Sequence, residues 1–567
     1  MTQSPLAVAI AHHKAGRLVE AETAYRRLLA AAPSNPDITM LLGLLLDQRG
    51  AHAEAVQHLA NAAKAKSSDP AVHYNLALAL QHAGRAGEAI SAYRRALDLR
   101  PDYLAARVNL GNLLAETGAG EAAIALFRDG LARQREQADL HYNLARLLQQ
   151  TGRYAEAVTH YRSALAIKPD LPGALNNLGL LLQSGQEIEE AIALYRRGLA
   201  AAPANLDLLL NLGNALMLAS GFEEAIAAYR RAQAIAPDNV DSHHFESFAL
   251  LLLGRFEAGW EAYEWRLRTP DMRAKAARYP QARWDGRRDL DGRLLVWNEQ
   301  GVGDELMFLS LLPELAREVD LTVECDARLA LLFRRSLPGI DVVARPADVS
   351  GRRDWPSDIV AQVPAGSLMR HLRPDLASFA GRGGAYLEPD PELRDALKRR
   401  YGSDRLRVGI AWHTSAANAG LRRRMALSAL LPLLRLPGAV FVNLQYGDHA
   451  AEIRALTAAG GELLNDPTVD PWADLDGFAA QVAALDLVIA IDNSTAHMAG
   501  ALGVPCWVML PHPPEWRWLL QRSDCIWWPS LRLFRQSAPG DWGPVIDALT
   551  LSLAERIAFK GSGQALS

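Results

Sequence analysis

Three stretches of this chain carry side chains suited to chemistry. The first is Trp297-Asn-Glu-Gln-Gly-Val-Gly-Asp304-Glu-Leu. An apolar run leads into it, and Gly301 and Gly303 permit a tight turn. The spacing predicts a helix beginning at Asp304, where a carboxylate either caps the helix or does chemistry. The string lacks the third glycine of a dinucleotide fingerprint. The second stretch is Leu487-Val-Ile-Ala-Ile-Asp492-Asn493-Ser494-Thr495-Ala-His497-Met, which reads on to Gly503-Val-Pro505. It is a strand, a polar turn, then a helix. Amides at that helix start, with the Ser494 and Thr495 hydroxyls, suit a phosphate, and the helix dipole favours its charge. His497 either donates to a phosphate or packs as a satisfied helix histidine. The third stretch is Ile410-Ala-Trp412-His413-Thr-Ser415, followed by Arg422-Arg423-Arg424. Guanidinium forks fit a leaving diphosphate, although a basic run is also what a solvated loop looks like. Gln445 ends the next apolar run, where an amide can meet a nucleotide base.

Other chemistries find little support. There is no HExxH string and no Cys/His cluster at ligand spacing. Cys325, Cys506 and Cys525 form no CxxC pair. Asp289-Leu-Asp291 and Asp474-Leu-Asp476 are DxD strings, but neither follows a convincing apolar strand. No motif supports a catalytic triad. Glu515-Trp516-Arg517-Trp518 and Trp527-Trp528 read as core and interface aromatics.

These stretches need a scaffold that holds loops at strand ends. From about Asp291 onward, short apolar runs alternate with amphipathic stretches: Leu294–Trp297, Leu321–Glu324, Ile359–Val363, Val408–Trp412, Val440–Leu444, Leu487–Ile491 and Trp507–Leu510. Alternating strand and helix implies parallel sheets. The charged segment Glu388–Arg407 divides them into two halves. Ligands of open α/β sheets bind at the carboxyl ends of the strands, where the three stretches fall.

The first part of the chain is different. All 13 tryptophans lie at Trp260 or later. Upstream, Ala21, Ala55, Ala89, Ala123, Ala157, Ala191 and Ala225 are spaced by 34, each followed four residues later by Tyr25, Leu59, Tyr93, Phe127, Tyr161, Tyr195 and Tyr229. Gly16, Gly50, Gly84, Gly118, Gly152 and Gly254 keep the register at helix ends, and Pro33, Pro101, Pro169, Pro203 and Pro237 close the units. This resembles the tetratricopeptide repeat (TPR), a helix pair of about 34 residues that stacks into a superhelix with a concave groove. Seven units are clear. A degenerate eighth, with Phe256, Trp260 and Tyr263, has the aromatics of a unit that docks onto the next domain. Asn75, Asn109, Asn143, Asn177 and Asn211 recur at the same period. Their amides could hold a peptide backbone without reading its sequence, or tie neighbouring repeats together.

Two further resemblances sharpen the expectation. Two Rossmann-like halves resemble the GT-B glycosyltransferase architecture. The Gly303-Asp304 turn and the Asp492–Pro505 block resemble those of heptosyltransferases of the lipopolysaccharide type. That resemblance implies Asp304 as catalytic base, with Gly303, Trp412, Arg422, Arg423, Arg424, Gln445, Asp492, Asn493, Ser494, Thr495 and His497 on the nucleotide-sugar side. It implies an inverting displacement. The asparagine column is similar to the ladder with which protein O-GlcNAc transferases hold polypeptides. The combination resembles bacterial TPR-containing protein glycosyltransferases, flagellin-modifying enzymes among them. The C-terminal motifs are closer to heptosyltransferases than to O-GlcNAc transferases, which speaks against UDP-GlcNAc as donor.

The expectation is therefore an α-solenoid over 1–268, a linker over 269–290, and an α/β GT-B domain with halves at 291–395 and 396–567. Its function would be sugar transfer from a nucleotide sugar to Ser/Thr hydroxyls of a protein held in the groove, flagellin being one such acceptor. The alternatives are a non-enzymatic TPR scaffold with a degenerate transferase domain, or a glycan or lipopolysaccharide transferase. No metal and no cofactor beyond the co-substrate is expected. Among 567 residues, 60 Lys+Arg against 64 Asp+Glu give a net charge of −4, which favours no nucleic-acid partner. The N-terminus lacks a basic region followed by a long apolar core, and no apolar run is long enough to insert in a membrane, so a cytoplasmic protein is expected.

Overall fold

The computed structural model describes residues 4–346, 354–414, 423 and 425–561. The chain forms two compact units, Met1–Asn211 and Leu212–Ser567.

The first unit is a run of antiparallel helix pairs, beginning with Pro5–Lys14 and Leu18–Ala31 and continuing at the repeat period. In Pro70–His82 the Asp69 carboxylate accepts from Ala71 N at 2.9 Å and Pro70 fills the first turn. That helix ends where Gly84 takes φ 73°, a left-handed turn that glycine adopts without strain. Gln186 and Ser220 stand at the same repeat position and take φ 68° and 62°. The turn is thus set by the repeat, and glycine only eases it. Inside each pair a small residue meets a large one. A methyl group on Gly111 would lie 2.2 Å from Phe127 Cζ, and one on Gly179 would lie 2.5 Å from Tyr195 Cε1.

The buried tyrosines need partners for their hydroxyls. Tyr93, Tyr161 and Tyr195 donate to Gln81, Gln149 and Gln183, twelve residues earlier, at 2.9, 2.8 and 3.3 Å. In the fourth pair the aromatic is Phe127, and Ala115 stands where the glutamine would be. In the second pair Leu59 replaces the tyrosine, and Asp47 stands at the glutamine position.

The second unit takes in the last helices of the array as well as the α/β part. The helix pairs expected to run to 268 thus cross the border between the two units. Phe256–Tyr263 shares one apolar core with the sheets. Trp260 is 1% exposed, donates through Nε1 to Arg373 O at 2.8 Å and meets Trp516 edge-on at 5.5 Å. The expected linker is also structured: Pro270–Ala276 is a helix and the next strand joins a sheet.

The strands are β1 (Ala282–Arg283), β2 (Arg293–Trp297), β3 (Leu321–Cys325), β4 (Asp341–Ala344), β5 (Ile359–Pro364), β6 (Leu406–Ala411), β7 (Ala439–Asn443), β8 (Leu487–Ile491), β9 (Cys506–Leu510) and β10 (Leu531–Arg535). They form two parallel sheets in the orders β1-β5-β2-β3-β4 and β10-β9-β8-β6-β7. Both faces are covered, as parallel sheets require. Leu487, Ile489 and Ile491 of β8 enter one apolar cluster, while Val488 and Ala490 enter another. The chain order reverses between β2 and β5 in one sheet and between β6 and β8 in the other. Crevices open at such switch points. Among the described residues, no helix is long and apolar enough to cross a membrane.

Candidate active site

The loops at the two switch points face each other. After β2 the helix Val302–Leu309 begins, with Gly301 at its cap position, so Asp304 lies inside the first turn and is not the N-cap. After β8 the helix Ser494–Ala501 begins, capped by Asn493, whose side chain accepts from Thr495 N at 3.0 Å. The two helices pack at their N-terminal ends. A methyl group on Gly303 would lie 3.3 Å from His497 Cδ2 and 3.4 Å from Ser494 Cα.

A chain of ion pairs crosses between the halves. Arg517 Nη2 donates to Asp304 Oδ1 at 2.6 Å, and Arg517 Nη1 lies 3.5 Å from Glu515 Oε2. Glu515 also accepts from Arg423 Nη2. Arg423 in turn donates to Asp492 O at 3.3 Å, with its Nε 3.6 Å from Asp492 Oδ2. Burial works against the charge of Arg517, but Asp304, Glu515 and Asp492 outweigh it and hold the guanidinium above its usual range. Three carboxylates against two guanidiniums leave this cluster one negative charge in excess. Asp492 Oδ2 and Thr495 Oγ1 are buried and make no hydrogen bond among the described residues.

His497 is 3% exposed and stacks on Trp518 at 5.3 Å. Its Nδ1 accepts from Trp528 Nε1 at 3.2 Å. An indole only donates, so the imidazole proton sits on Nε2. Burial, with Arg517 and Arg423 nearby, pushes the imidazole well below its usual range and keeps it neutral. It is packed in the helix with Nδ1 already taken by an indole. Ser494 is half-buried at the helix start.

Trp412 and Gln445 are displaced from their expected roles. Trp412 is fully buried in an apolar cluster, with its indole donating to Glu452 at 2.8 Å. The Gln445 carbonyl accepts from Trp412 N at 3.0 Å and His413 N at 2.8 Å, closing the end of β6 from inside. Neither is free to meet a base. Ser415, Arg422 and Arg424 lie outside the described residues. In the array, the amide donors of four of the five asparagines serve the protein itself. Asn109 donates to Tyr74 at 3.2 Å, Asn143 to Asp139 O at 2.8 Å, Asn177 to Tyr161 at 3.1 Å and Asn211 to Asn176 at 2.8 Å. Asn75, Asn109, Asn177 and Asn211 stay half-buried and Asn143 is buried.

Sequence reasoning missed Glu515 and Arg517, which read as part of a tryptophan-rich core segment. They lie in the loop after β9, where the pattern does not separate a charge aimed at the site from one flanking a buried tryptophan. It also missed Glu305 beside Asp304. Burial pushes that carboxyl up to about 8, against the partial relief of Arg345 and the Asp326 amide at 2.8 Å. Glu299, after β2, pairs with Arg266 at 2.7 Å and accepts from Gly366 N at 3.2 Å, which fixes the loop that carries Asp304.

Comparison with known proteins agrees with the helical part. Family models described as tetratricopeptide repeat match residues 6–70 and 176–240, 80–147 and 136–204. The first part of the chain is therefore a TPR array, followed by an α/β part with parallel sheets. A curated relative is Protein FlbA of Caulobacter vibrioides (strain ATCC 19089 / CIP 103742 / CB 15), 36% identical over 318 residues. The match covers 52% of this chain and 52% of that protein, so the chain spans about half the length of the relative it matches. Similar solved structures include MamA, at 21% identity and TM-score 0.28 over 30% of this chain and 97% of that one. Another is Pseudomonas aeruginosa pilF, at 21% identity and TM-score 0.33 over 37% and 96%. A third, YrrB, is described as a TPR protein with an unusual peptide-binding site, at 22% identity and TM-score 0.29 over 33% and 96%.

Proposed function

We propose that the chain is a GT-B-type glycosyltransferase that moves a sugar from a nucleotide sugar to Ser or Thr hydroxyls of a protein acceptor, flagellin among the acceptors. The observation that carries this reading is the bridge from Asp304 to Arg517, spanning the loops of two sheet switch points. A carboxylate that can take a hydroxyl proton sits beside a guanidinium that can hold a diphosphate. When the donor's phosphates draw Arg517 away, Asp304 is released to accept the proton as the acceptor oxygen attacks the anomeric carbon, the bond from that carbon to the phosphate oxygen breaks, and the nucleoside diphosphate leaves against the guanidinium. The excess negative charge of the cluster calls for further cations around the donor, and Arg422 and Arg424 are the candidates in sequence. The repeat array would bind the acceptor polypeptide and raise its local concentration. An amide has two N–H donors and one carbonyl, so the single donated bonds of the half-buried Asn109, Asn177 and Asn211 leave each of them capacity for a guest backbone.

One observation favours a scaffold instead. The helix start at Ser494 is capped by Asn493 and His497 is packed between tryptophans, so the chain's own groups already fill part of the anion cradle. The test is intact-mass analysis of flagellin and other abundant exported proteins from cells with the gene, without it, and with Asp304→Asn. A sugar-sized mass missing from one Ser/Thr-rich protein in both the deletion and the variant supports the proposal. A base contributes about 10²–10⁴-fold, enough to empty the modified peak. Unchanged masses in every protein would leave the scaffold or the glycan transferase.

A further inference from the structure

The repeat array carries a side-chain cluster that the proposed transfer does not use. Asp47 lies in the last turn of the helix Pro36–Gln48, His52 begins His52–Ala65, and His82 ends Pro70–His82. The three residues come from two successive helix pairs. His52 Nδ1 lies 2.8 Å from Asp47 Oδ1, and His82 Nδ1 lies 3.1 and 2.9 Å from the two Asp47 oxygens. One ligand atom from each residue falls within 4.8 Å of the others.

The repeats provide an internal comparison. In three pairs the tyrosine hydroxyl takes the glutamine twelve positions earlier as its partner, Gln81, Gln149 and Gln183, while Tyr229, with Met217 at that position, donates to Asn214 instead. The second pair has Leu59, so Asp47 has no hydroxyl to serve and turns to the two imidazoles. The position of His52 is held elsewhere by Leu18, Ala86, Gly120, Tyr154 and Ile188, and that of His82 by Gln48, Glu116, Gln150 and Ser184. All three positions depart from the repeat at one place in the fold. Packing does not require this, because the other repeats pack without it.

We propose that Asp47, His52 and His82 form a binding site for a divalent transition metal of the zinc class. Two imidazole nitrogens and one carboxylate oxygen are a donor set that zinc accepts, leaving a fourth position open to water. Ligands at about 2.0–2.1 Å in tetrahedral geometry stand roughly 3.3 Å apart. The carboxylate–imidazole distances of 2.8–3.1 Å need to open only slightly to admit the ion. A carboxylate accepts and does not donate, so the imidazole protons now point at Asp47 from Nδ1. A metal ion bound at these nitrogens displaces those protons and leaves the ring N–H on Nε2. The Asp47 side chain is 15% exposed while those of His52 and His82 are 34% and 50% exposed, so the site is anchored on a sheltered acid and open to an ion from solvent. Occupied, it is a clip that ties one repeat to the next.

The test is zinc titration of the full-length chain after chelator treatment, with metal content measured after gel filtration and cobalt absorption as a check on geometry. One zinc per chain and a tetrahedral cobalt spectrum are expected. His82→Gln and His52→Ala install residues that other repeats carry at those positions, so folding is kept. Each should weaken binding by at least about tenfold. His141→Ala, at the His141–His160 contact of 2.9 Å, should leave it unchanged. No retained zinc, or retention unaffected by both His52 and His82 variants, or loss in His141→Ala alone, would overturn the site.

Discussion

Replacing Arg517 by methionine is the perturbation that the geometry constrains most tightly. The guanidinium makes a 2.6 Å bond to Asp304 and a looser 3.5 Å pair with Glu515. The side chains of Arg517, Asp304 and Glu515 are 12%, 23% and 29% exposed. A hydrogen bond to a charged group contributes about 1.5–3 kcal/mol, and the looser, wetter pair adds about 0.5 kcal/mol. Methionine fills much of the space and removes the desolvation cost of the buried charge, and Asp304 can turn to water. The net loss should therefore be about 2 kcal/mol, well short of the roughly 3–5 kcal/mol for a fully buried pair. In the same variant the cluster goes from one to two negative charges in excess. Nucleoside diphosphate binding should then weaken by roughly 30-fold, equivalent to about 2 kcal/mol. Chemical denaturation of the full chain measures the first quantity and calorimetric titration with nucleoside diphosphates the second. The decisive experiment is the double-mutant cycle with Asp304→Asn, which should return a coupling of about 1–2 kcal/mol. A coupling below about 0.3 kcal/mol, with diphosphate binding unchanged in Arg517→Met, would refute the bridge as both a structural and a functional contact.

Two further predictions concern pH. The folded chain holds the Glu305 proton up to about 8, whereas an unfolded chain releases it near the ordinary carboxylate value of 4.5. Stability should therefore fall as pH rises between those values, and Glu305→Gln should flatten the fall, read as denaturation midpoints at pH 5, 7 and 9. Asp486 is the opposite case. Burial would raise it, but bonds from Arg407 at 2.7 and 3.1 Å and from Lys560 at 3.1 Å bring it down to about 2. Its contribution of roughly 2 kcal/mol is fully present above its ordinary value and is lost as pH falls through 2. Asp486→Asn should thus be destabilised at pH 7 and converge with the native chain in strong acid.

Much of the α/β part could be read from apolar runs, because strands covered on both faces leave unbroken stretches such as Leu487–Ile491. Three strands escaped. Ala282–Arg283 is two residues long, Asp341–Ala344 opens on a charge, and Leu531–Arg535 has its apolar run interrupted and closed by arginine. All three lie at sheet edges, where one side of the pattern is lost. In the site, Asp304 and Asp492 were legible because glycine or small polar residues mark the turns that follow their strands. Arg517 was not, since nothing local distinguishes a charge aimed into a cleft from one flanking a buried tryptophan. Trp412 and Gln445 misled for a related reason: a residue at a strand's end can point into the protein as readily as toward a ligand. The asparagine period was visible, but periodicity cannot tell a seam between repeats from a surface for a guest.

The sharing of Phe256, Trp260 and Tyr263 with the core of the α/β part bears on how such a chain can be cut or lengthened. A fragment ending at 268 would carry an indole and two rings whose packing partners had been deleted, and it should aggregate rather than report on the array. Upstream of Leu212 the situation reverses. There each unit rests on its neighbours at a fixed 34-residue period, so whole periods can be removed or duplicated without disturbing the catalytic candidate residues. Array length is in this sense a free variable of the design. A series of chains differing by one period, each keeping the fused final pair, would show how far the proposed acceptor choice depends on reach alone.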